Sequence, residues 1–215
     1  MNRSSDTPAS VSVTIDDIRD PTATNAGIEM LEHDAVQLQS LPLRARRVIV
    51  RLAPATVVRY SSNLRVRTHT RLHDELLAYV AFGPQARGTV NGIAIRPGLM
   101  LLAGPAAEVS FVVEAGWESV TLLMPAQDFR SHLDARRRDA DVGLTPSVEV
   151  LQADAGKVRA LYDWGKRLTD TAARNPERFR EHGRARLAAQ GELLEKLIDT
   201  LGDARDFQSD RSDRT

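Results

Sequence analysis

Short apolar runs separated by turn-forming residues fill the chain from about residue 45 to residue 124. Alternating or continuous Val, Ile and Leu content is typical of strands, and Gly, Pro and Asn are typical of the turns between them. About eight or nine strands fit between these breaks, enough to close a small barrel. The pattern therefore predicts a mainly β region of short antiparallel strands.

Asn91-Gly92 is the sharpest turn signal in the chain. Both central residues of a type I′ hairpin turn need positive φ, which Asn and Gly tolerate best. A two-residue turn at this point pairs Val90 with Ile93 and places Val90, Ile93 and Ile95 on one face. The hairpin is therefore predicted to have one apolar face.

Residues 64–72 alternate almost without interruption, and one face is basic, with Arg65, Arg67, His69 and Arg71. Such a face is usually the solvated outside of a half-buried strand. The alternative is a wall that faces an anion or the helices.

The hydrophobic period changes from strand to helix at Pro125, a residue type that suits the first turn of a helix. A second helix is predicted over residues 153–173. Asn175-Pro176-Glu177 signals the start of a third helix, which ends near Leu201. The chain is thus expected to end in two or three helices.

The third predicted helix has a narrow apolar stripe on a heavily charged surface, with leucine repeating every seven residues. The stripe predicts either a homodimer contact or packing against the second helix, and the sequence supports the two equally. Its members are Leu187, Leu194, Leu197, Ile198 and Leu201.

The two ends of the chain differ from its middle. Residues 1–27 are rich in Ser, Thr, Asp and Pro, and we expect them to be mostly flexible around one short edge strand. Residues 203–215 are charged and aperiodic, which is typical of a linker. Between them we expect a β-barrel over residues 28–125 and a helical region over residues 126–202.

Composition and charge exclude several classes of protein. The 29 basic and 29 acidic residues cancel, so no global field attracts nucleic acid or an anionic membrane. The absence of cysteine excludes disulfides and thiolate chemistry. No signal-peptide pattern is present, and no apolar run approaches the roughly 20 residues of a membrane helix. We therefore expect a soluble, cytoplasmic protein without a membrane partner.

Candidate chemistry is sparse. His69 and His73 lie close together, with Asp74 and Glu75 beside them, and this group could hold a metal. Its place in a strand-to-turn segment favours surface polar residues instead. The chain has no nucleophile elbow, phosphate loop or dinucleotide fingerprint. We therefore predict no catalytic residue, metal or cofactor, and a protein that is not an enzyme.

Three segments of the β region combine glycine turns with apolar runs: Val90-Asn91-Gly92, residues 101–109 (LLAGPAAEV) and residues 113–121 (VEAGWESVT). Together they resemble the N-terminal sensory half of AraC-type bacterial transcription regulators, over about residues 28–125. Ala106 stands where that family usually has the middle glycine of a Gly-Pro-Gly-Ala-Glu-like turn.

The resemblance implies an α+β, mainly β fold: a small cupin-like antiparallel β-barrel that senses a small-molecule effector, followed by two or three α-helices that form a homodimer. In this family two helix-turn-helix units normally follow. The residues after Leu201 are too few for them, so we expect DNA contact only through a C-terminal domain that this chain lacks. Barrel position and side-chain chemistry suggest four effector-lining residues, namely Tyr79, Phe82, Glu108 and Trp117.

Two other functions stay open. One is a cupin-fold enzyme that acts on a small metabolite, which would hold a metal at His69 or His73. The other is a dimeric interaction module without a ligand.

Overall fold

A computed structural model describes residues 12–20, 31–135, 147–180, 183–202 and 204–206. Within these residues the chain forms two antiparallel β-sheets and three α-helices. This confirms the predicted fold class, mainly β with helices towards the C-terminus. The predictions for residues 1–11, 21–30 and 207–215 lie outside the described residues.

The larger sheet has eight strands and passes through the centre of the molecule. In sheet order its strands are β1 (Val13–Ile18), β3 (Ala45–Arg51), β4 (Thr56–Ser62), β11 (Trp117–Pro125), β6 (Leu76–Phe82), β9 (Leu99–Ala103), β12 (Val148–Gln152) and β13 (Arg205–Asp206). A five-stranded sheet faces it, in the order β2 (Leu31–Gln37), β5 (Val66–Leu72), β10 (Glu108–Val113), β7 (Gly88–Val90) and β8 (Ile93–Ala94). The arrangement of the two sheets is compatible with a cupin-like β-sandwich.

Alternation along the strands of the larger sheet sends side chains into two separate cores. On β6, Ala78 and Val80 join the core between the two sheets, whereas Tyr79 and Ala81 join the core beneath the helices. Because β6 lies inside the sheet and is covered on both faces, all of its residues are buried.

The predicted hairpin is confirmed. Strands β7 and β8 pair with Val90 opposite Ile93. Asn91 has φ 46° and Gly92 has φ 80°, the positive values that a type I′ turn requires. The basic residues Arg67, His69 and Arg71 on β5, and Arg65 just before it, are exposed, so the solvated interpretation of that face is also correct.

Three helices cover the outer face of the larger sheet: α1 (Ala126–Ala135), α2 (Ala155–Arg174) and α3 (Arg184–Leu201). Asp154 caps α2 by accepting a hydrogen bond from the backbone N–H of Lys157 at 2.9 Å. Among the described residues, no helix is long and apolar enough to cross a membrane.

The start predicted for the third helix at Asn175 is wrong. Pro176–Phe179 form only one 3₁₀ turn, and Arg180 is extended, with ψ 161°. The helix begins after Gly183 instead. Proline supplies a suitable φ for the first turn, but Arg180 leaves the helical region, so the turn is not continued into a helix.

Three strands of the larger sheet, β1, β12 and β13, come from outside residues 28–125. Strand β1 pairs with β3, and β12 pairs with β9. The sheet therefore includes chain on both sides of the segment whose local pattern predicted the barrel. The local pattern predicted a short edge strand within residues 1–27 but not which strands these segments would pair with, because strand partners are chosen by long-range pairing.

Candidate ligand-binding cavity

A cavity of about 130 Å³ lies between the two sheets. It occupies the core to which both sheets contribute, on the side of the larger sheet that faces away from the helices. Its walls are mainly apolar, and they include Leu31, Val58, Leu72, Ala78, Val80, Leu101, Ala103, Val109, Phe111, Val113, Trp117 and Leu123. A cavity of roughly 150 Å³ can hold benzene, so this cavity has about the size needed for a molecule as large as benzene.

Strands β3 and β4 bring polar side chains to this cavity. Arg47 is 3% exposed and lies on the same face of β3 as Ala45 and Ile49. Its Nε and Nη2 donate to Oδ2 of Asp16 on β1, at 2.9 and 2.8 Å. Tyr60 lies opposite Arg47 on β4. The buried guanidinium thus has its countercharge on the neighbouring strand.

The smaller sheet adds His33, Thr68 and Thr70 to the cavity wall. His33 lies opposite Thr70 in the β2–β5 pair, and its Nδ1 is 2.8 Å from the Thr70 hydroxyl. Burial, and after it the positive charge of Arg47, lower the pKa of His33 to about 4, while Asp34 opposes the shift. His33 is therefore uncharged near neutral pH.

Tyr60 is also uncharged near neutral pH. Burial raises the pKa of its hydroxyl above the usual value, although Arg47 and a hydrogen bond to Ser62 act in the opposite direction. Among the described residues that line the cavity, Arg47 therefore carries the one formal charge, and Asp16 on β1 compensates that charge without lining the cavity itself. The site combines hydroxyl and imidazole groups with one compensated ion pair.

Aromatic rings form another part of the cavity wall. The ring of Trp117 is 6.1 Å from that of Phe111, centre to centre, in an edge-on arrangement. The indole N–H of Trp117 donates to the Ser119 hydroxyl at 3.2 Å. Phe82 also contacts Trp117, with the ring centres 5.6 Å apart.

The structure brings only part of the sequence-predicted ligand set to this cavity. Trp117 lines it, whereas Phe82 contacts Trp117 but is not among the lining residues. Tyr79 faces the helices, where its ring is 5.4 Å from that of Phe129. Glu108 is exposed and lies 3.6 Å from Nε2 of His69 on the outer face of the smaller sheet.

Sequence reasoning missed the polar residues of the cavity, Arg47, His33, Tyr60, Thr68 and Thr70. A usable signal is present for Arg47, which shares the period-two face of Ala45 and Ile49. Since Arg46 and Arg47 are adjacent, however, the strand pattern alone does not tell which of the two faces inwards.

A groove of about 440 Å³ lies next to the cavity on the outside of the smaller sheet. It is lined by charged and polar residues of β2, β5 and β10, including Asp34, His69 and Arg71. Leu31 and His33 line both the groove and the cavity. Within the described part of the chain, no three His, Cys, Asp or Glu side chains are grouped so that they could hold a metal ion.

A second polar cluster, also missed from sequence, joins α2 to the larger sheet. Arg59 donates to Asp170 at 2.6 Å and to Glu118 at 3.0 Å. The Tyr162 hydroxyl donates to the other oxygen of Glu118. Burial raises the pKa of Glu118, but the hydrogen bonds from Tyr162 and Arg59 outweigh it and hold that pKa below its usual range. The cluster stabilises the packing of α2 against the larger sheet.

The predicted dimer residues are divided between the core and the surface. Leu197 and Ile198 are 0% and 3% exposed and belong to the core beneath the helices. Leu194 and Leu201 are half-buried against that core, and Leu187 is 61% exposed. Packing within the chain thus already buries Leu197 and Ile198 and partly buries Leu194 and Leu201.

Comparisons with known proteins give little further guidance. No protein-family model matches this chain, and no curated protein matches it. Among solved structures, the crystal structure of the AraC-like transcriptional activator CuxR aligns with a TM-score of 0.44 at 10% identity, over 82% of this chain and 64% of that one. This chain thus spans slightly less than two thirds of the length of that protein, and a likeness at this TM-score carries no argument about function.

Proposed function

We propose that this chain is the effector-sensing and dimerisation region of an AraC-type transcriptional regulator, and that the effector binds in the cavity between the two sheets. One observation carries the proposal: a cavity of about 130 Å³ with apolar walls and convergent buried polar groups. Such a combination is typical of small-molecule sites. The sequence resemblance of residues 90–92, 101–109 and 113–121 supports the regulator class.

Strand β6 offers a matched pair of variants that tests the cavity. Ala78 lines it and is 3% exposed, whereas Ala81, 1% exposed, points to the helix side of the same strand. Each is replaced by Val, and the unfolding midpoint is recorded with and without members of a panel of phenols, short fatty acids and sugars. A ligand that binds only the folded state raises the midpoint.

We expect a panel compound that stabilises the natural chain to lose its effect on Ala78→Val and keep it on Ala81→Val, with each variant compared to its own ligand-free midpoint. The added methyl groups of Ala78→Val occupy the space where the ligand binds. If Ala78→Val responds as the natural chain does, the effector site lies elsewhere.

Dimerisation through α3 is proposed from the exposed side chain of Leu187 and the half-buried Leu194. Replacing Leu187 by Glu removes apolar surface that the chain itself does not cover. We expect this variant to have the mass of a monomer by light scattering, with unchanged circular dichroism. A dimer mass for Leu187→Glu contradicts this contact.

The regulatory part of the proposal needs an assay in cells. The chain is fused to a DNA-binding domain that recognises its operator only as a dimer, and a repressible reporter measures occupancy. We expect repression that depends on Leu187 and changes when a stabilising compound is added. Repression that no stabilising compound alters would leave the dimer part standing but would contradict effector control.

A further inference from the structure

The walls of the cavity set the size and character of what it holds. With about 130 Å³ and mainly apolar walls, it suits one six-membered ring or a chain of similar volume. Leu101, Val80 and Phe111 are among the side chains that such a body would contact. Burial of that apolar surface would supply most of the binding free energy.

Charge at the polar end of the cavity limits what the ligand's head group can be. The Arg47 side chain is 4% exposed, and its charge is compensated by Asp16, 2.8 Å away. An anionic ligand would bring a second negative charge to a guanidinium that already has one, and a cationic ligand would lie beside an arginine. Either would leave a charge without a full partner in a poorly hydrated space, which is costly.

Uncharged hydrogen-bonding groups are abundant at the same place. The hydroxyls of Thr68 and Thr70 line the cavity, and Thr70 is within hydrogen-bond distance of His33. Hydroxyls both donate and accept hydrogen bonds, so they can pair with an alcohol, a phenol or a carbonyl. They offer no full charge with which to compensate an ion.

We infer that the cavity takes a small uncharged molecule with an apolar body and one hydroxyl or carbonyl head, which points towards Arg47, Thr68 and Thr70. This inference rests on the proposed function and names the class of its effector. Leu31 and His33, which also line the outer groove, mark the side from which the molecule enters.

Three probes with the same ring and one-carbon substituent separate the possibilities: toluene, benzyl alcohol and benzoate. Binding to the natural chain is measured by calorimetric titration at pH 7.5, where benzoate is ionised. We expect benzyl alcohol to bind about tenfold or more tightly than benzoate, because of the desolvation cost of the carboxylate. We also expect it to bind more tightly than toluene, which forms no hydrogen bond at the head position.

The outcomes separate this inference from the proposed function. Benzoate binding as tightly as benzyl alcohol overturns the inference that the ligand is uncharged, while the cavity remains a ligand site. Toluene binding as tightly as benzyl alcohol overturns the inference that the ligand has a hydroxyl or carbonyl head. If none of the three binds, both this inference and the cavity as an effector site are contradicted.

Asp16→Asn tests the charge argument directly. The substitution keeps the size of the side chain and removes the countercharge of Arg47. The affinity for benzoate should therefore rise about tenfold relative to the affinity for benzyl alcohol. Asp17→Asn is the matched control, since Asp17 is 76% exposed and lies near Arg46 outside the cavity. An unchanged ratio in folded Asp16→Asn overturns the inference. If that variant does not fold, the ranking of the three probes on the natural chain decides.

Discussion

Gly165 marks a close approach of α2 to the larger sheet. A Cβ atom at this position would lie 2.4 Å from Cγ1 and 3.2 Å from Cγ2 of Val120. Val120 is completely buried, and its β-branched side chain has few alternative rotamers, so it has little room to move aside. Replacing Gly165 by Ala is therefore expected to push α2 away from the sheet.

Two opposing effects determine the size of the change. Alanine in a helix interior is about 1 kcal/mol more favourable than glycine. Overpacking a core costs about 1–3 kcal/mol, and a contact of 2.4 Å belongs at the upper end of that range. We therefore expect Gly165→Ala to lower the free energy of unfolding by about 1–2 kcal/mol. For a chain of this length the midpoint would fall by roughly 2–8 °C.

Gly191 in α3 is the matched control, because a Cβ there meets no atom within 4 Å. Gly191→Ala should raise the calorimetric midpoint by roughly 2–4 °C through helix propensity alone. In a Val120→Ala background, Gly165→Ala should cease to destabilise the chain, since the obstructing methyl groups are gone. A higher midpoint for Gly165→Ala in the natural chain would refute the reasoning.

Three further predictions concern single side chains. The pKa of His33 falls from 6.5 in the unfolded chain to about 4 in the folded chain, so the free energy of unfolding should decrease as the pH falls from 6.5 to 4, by up to roughly 1.4 kcal/mol per pH unit. His33→Gln should flatten this part of a denaturation–pH profile. An unchanged slope would contradict the lowered pKa of His33. Tyr162→Phe removes the donor to Glu118 and should cost roughly 1–2 kcal/mol in urea unfolding, whereas no loss would show that the hydrogen bond contributes nothing. Ala106 has φ 58°, so Ala106→Gly should stabilise the chain by up to about 1 kcal/mol in the same assay, whereas Ala107→Gly, the control without positive φ, should not.

Local features of the fold were predictable because their causes are local. The Asn91-Gly92 turn follows from the φ values that these two residues tolerate, and the pairing of Val90 with Ile93 follows from the length of the turn. The end of α3 near Leu201 likewise matches the end of its periodic pattern. The resemblance even identified the position of Ala106, whose positive φ is one that glycine would adopt more readily.

The candidate site was less predictable because it depends on which face of each strand points inwards. Tyr79 and Phe82 lie three positions apart on β6, so they necessarily face opposite sides of the sheet. Both were chosen from sequence because a completely buried strand has no polar positions that reveal its orientation.

The sequence by itself determined the succession of strands, the tight hairpin, the change to helices and the lack of assembled catalytic motifs, since composition and short-range backbone preferences decide these. Only the tertiary structure decided that Arg47 faces the cavity, that Asp16 compensates it, and that Leu197 and Ile198 are covered within the chain. The physical reason is that each of these facts depends on partners distant in sequence. Pairing β1 with β3 brings the carboxylate to the guanidinium, and packing α3 on the rest of the helical layer covers Leu197 and Ile198.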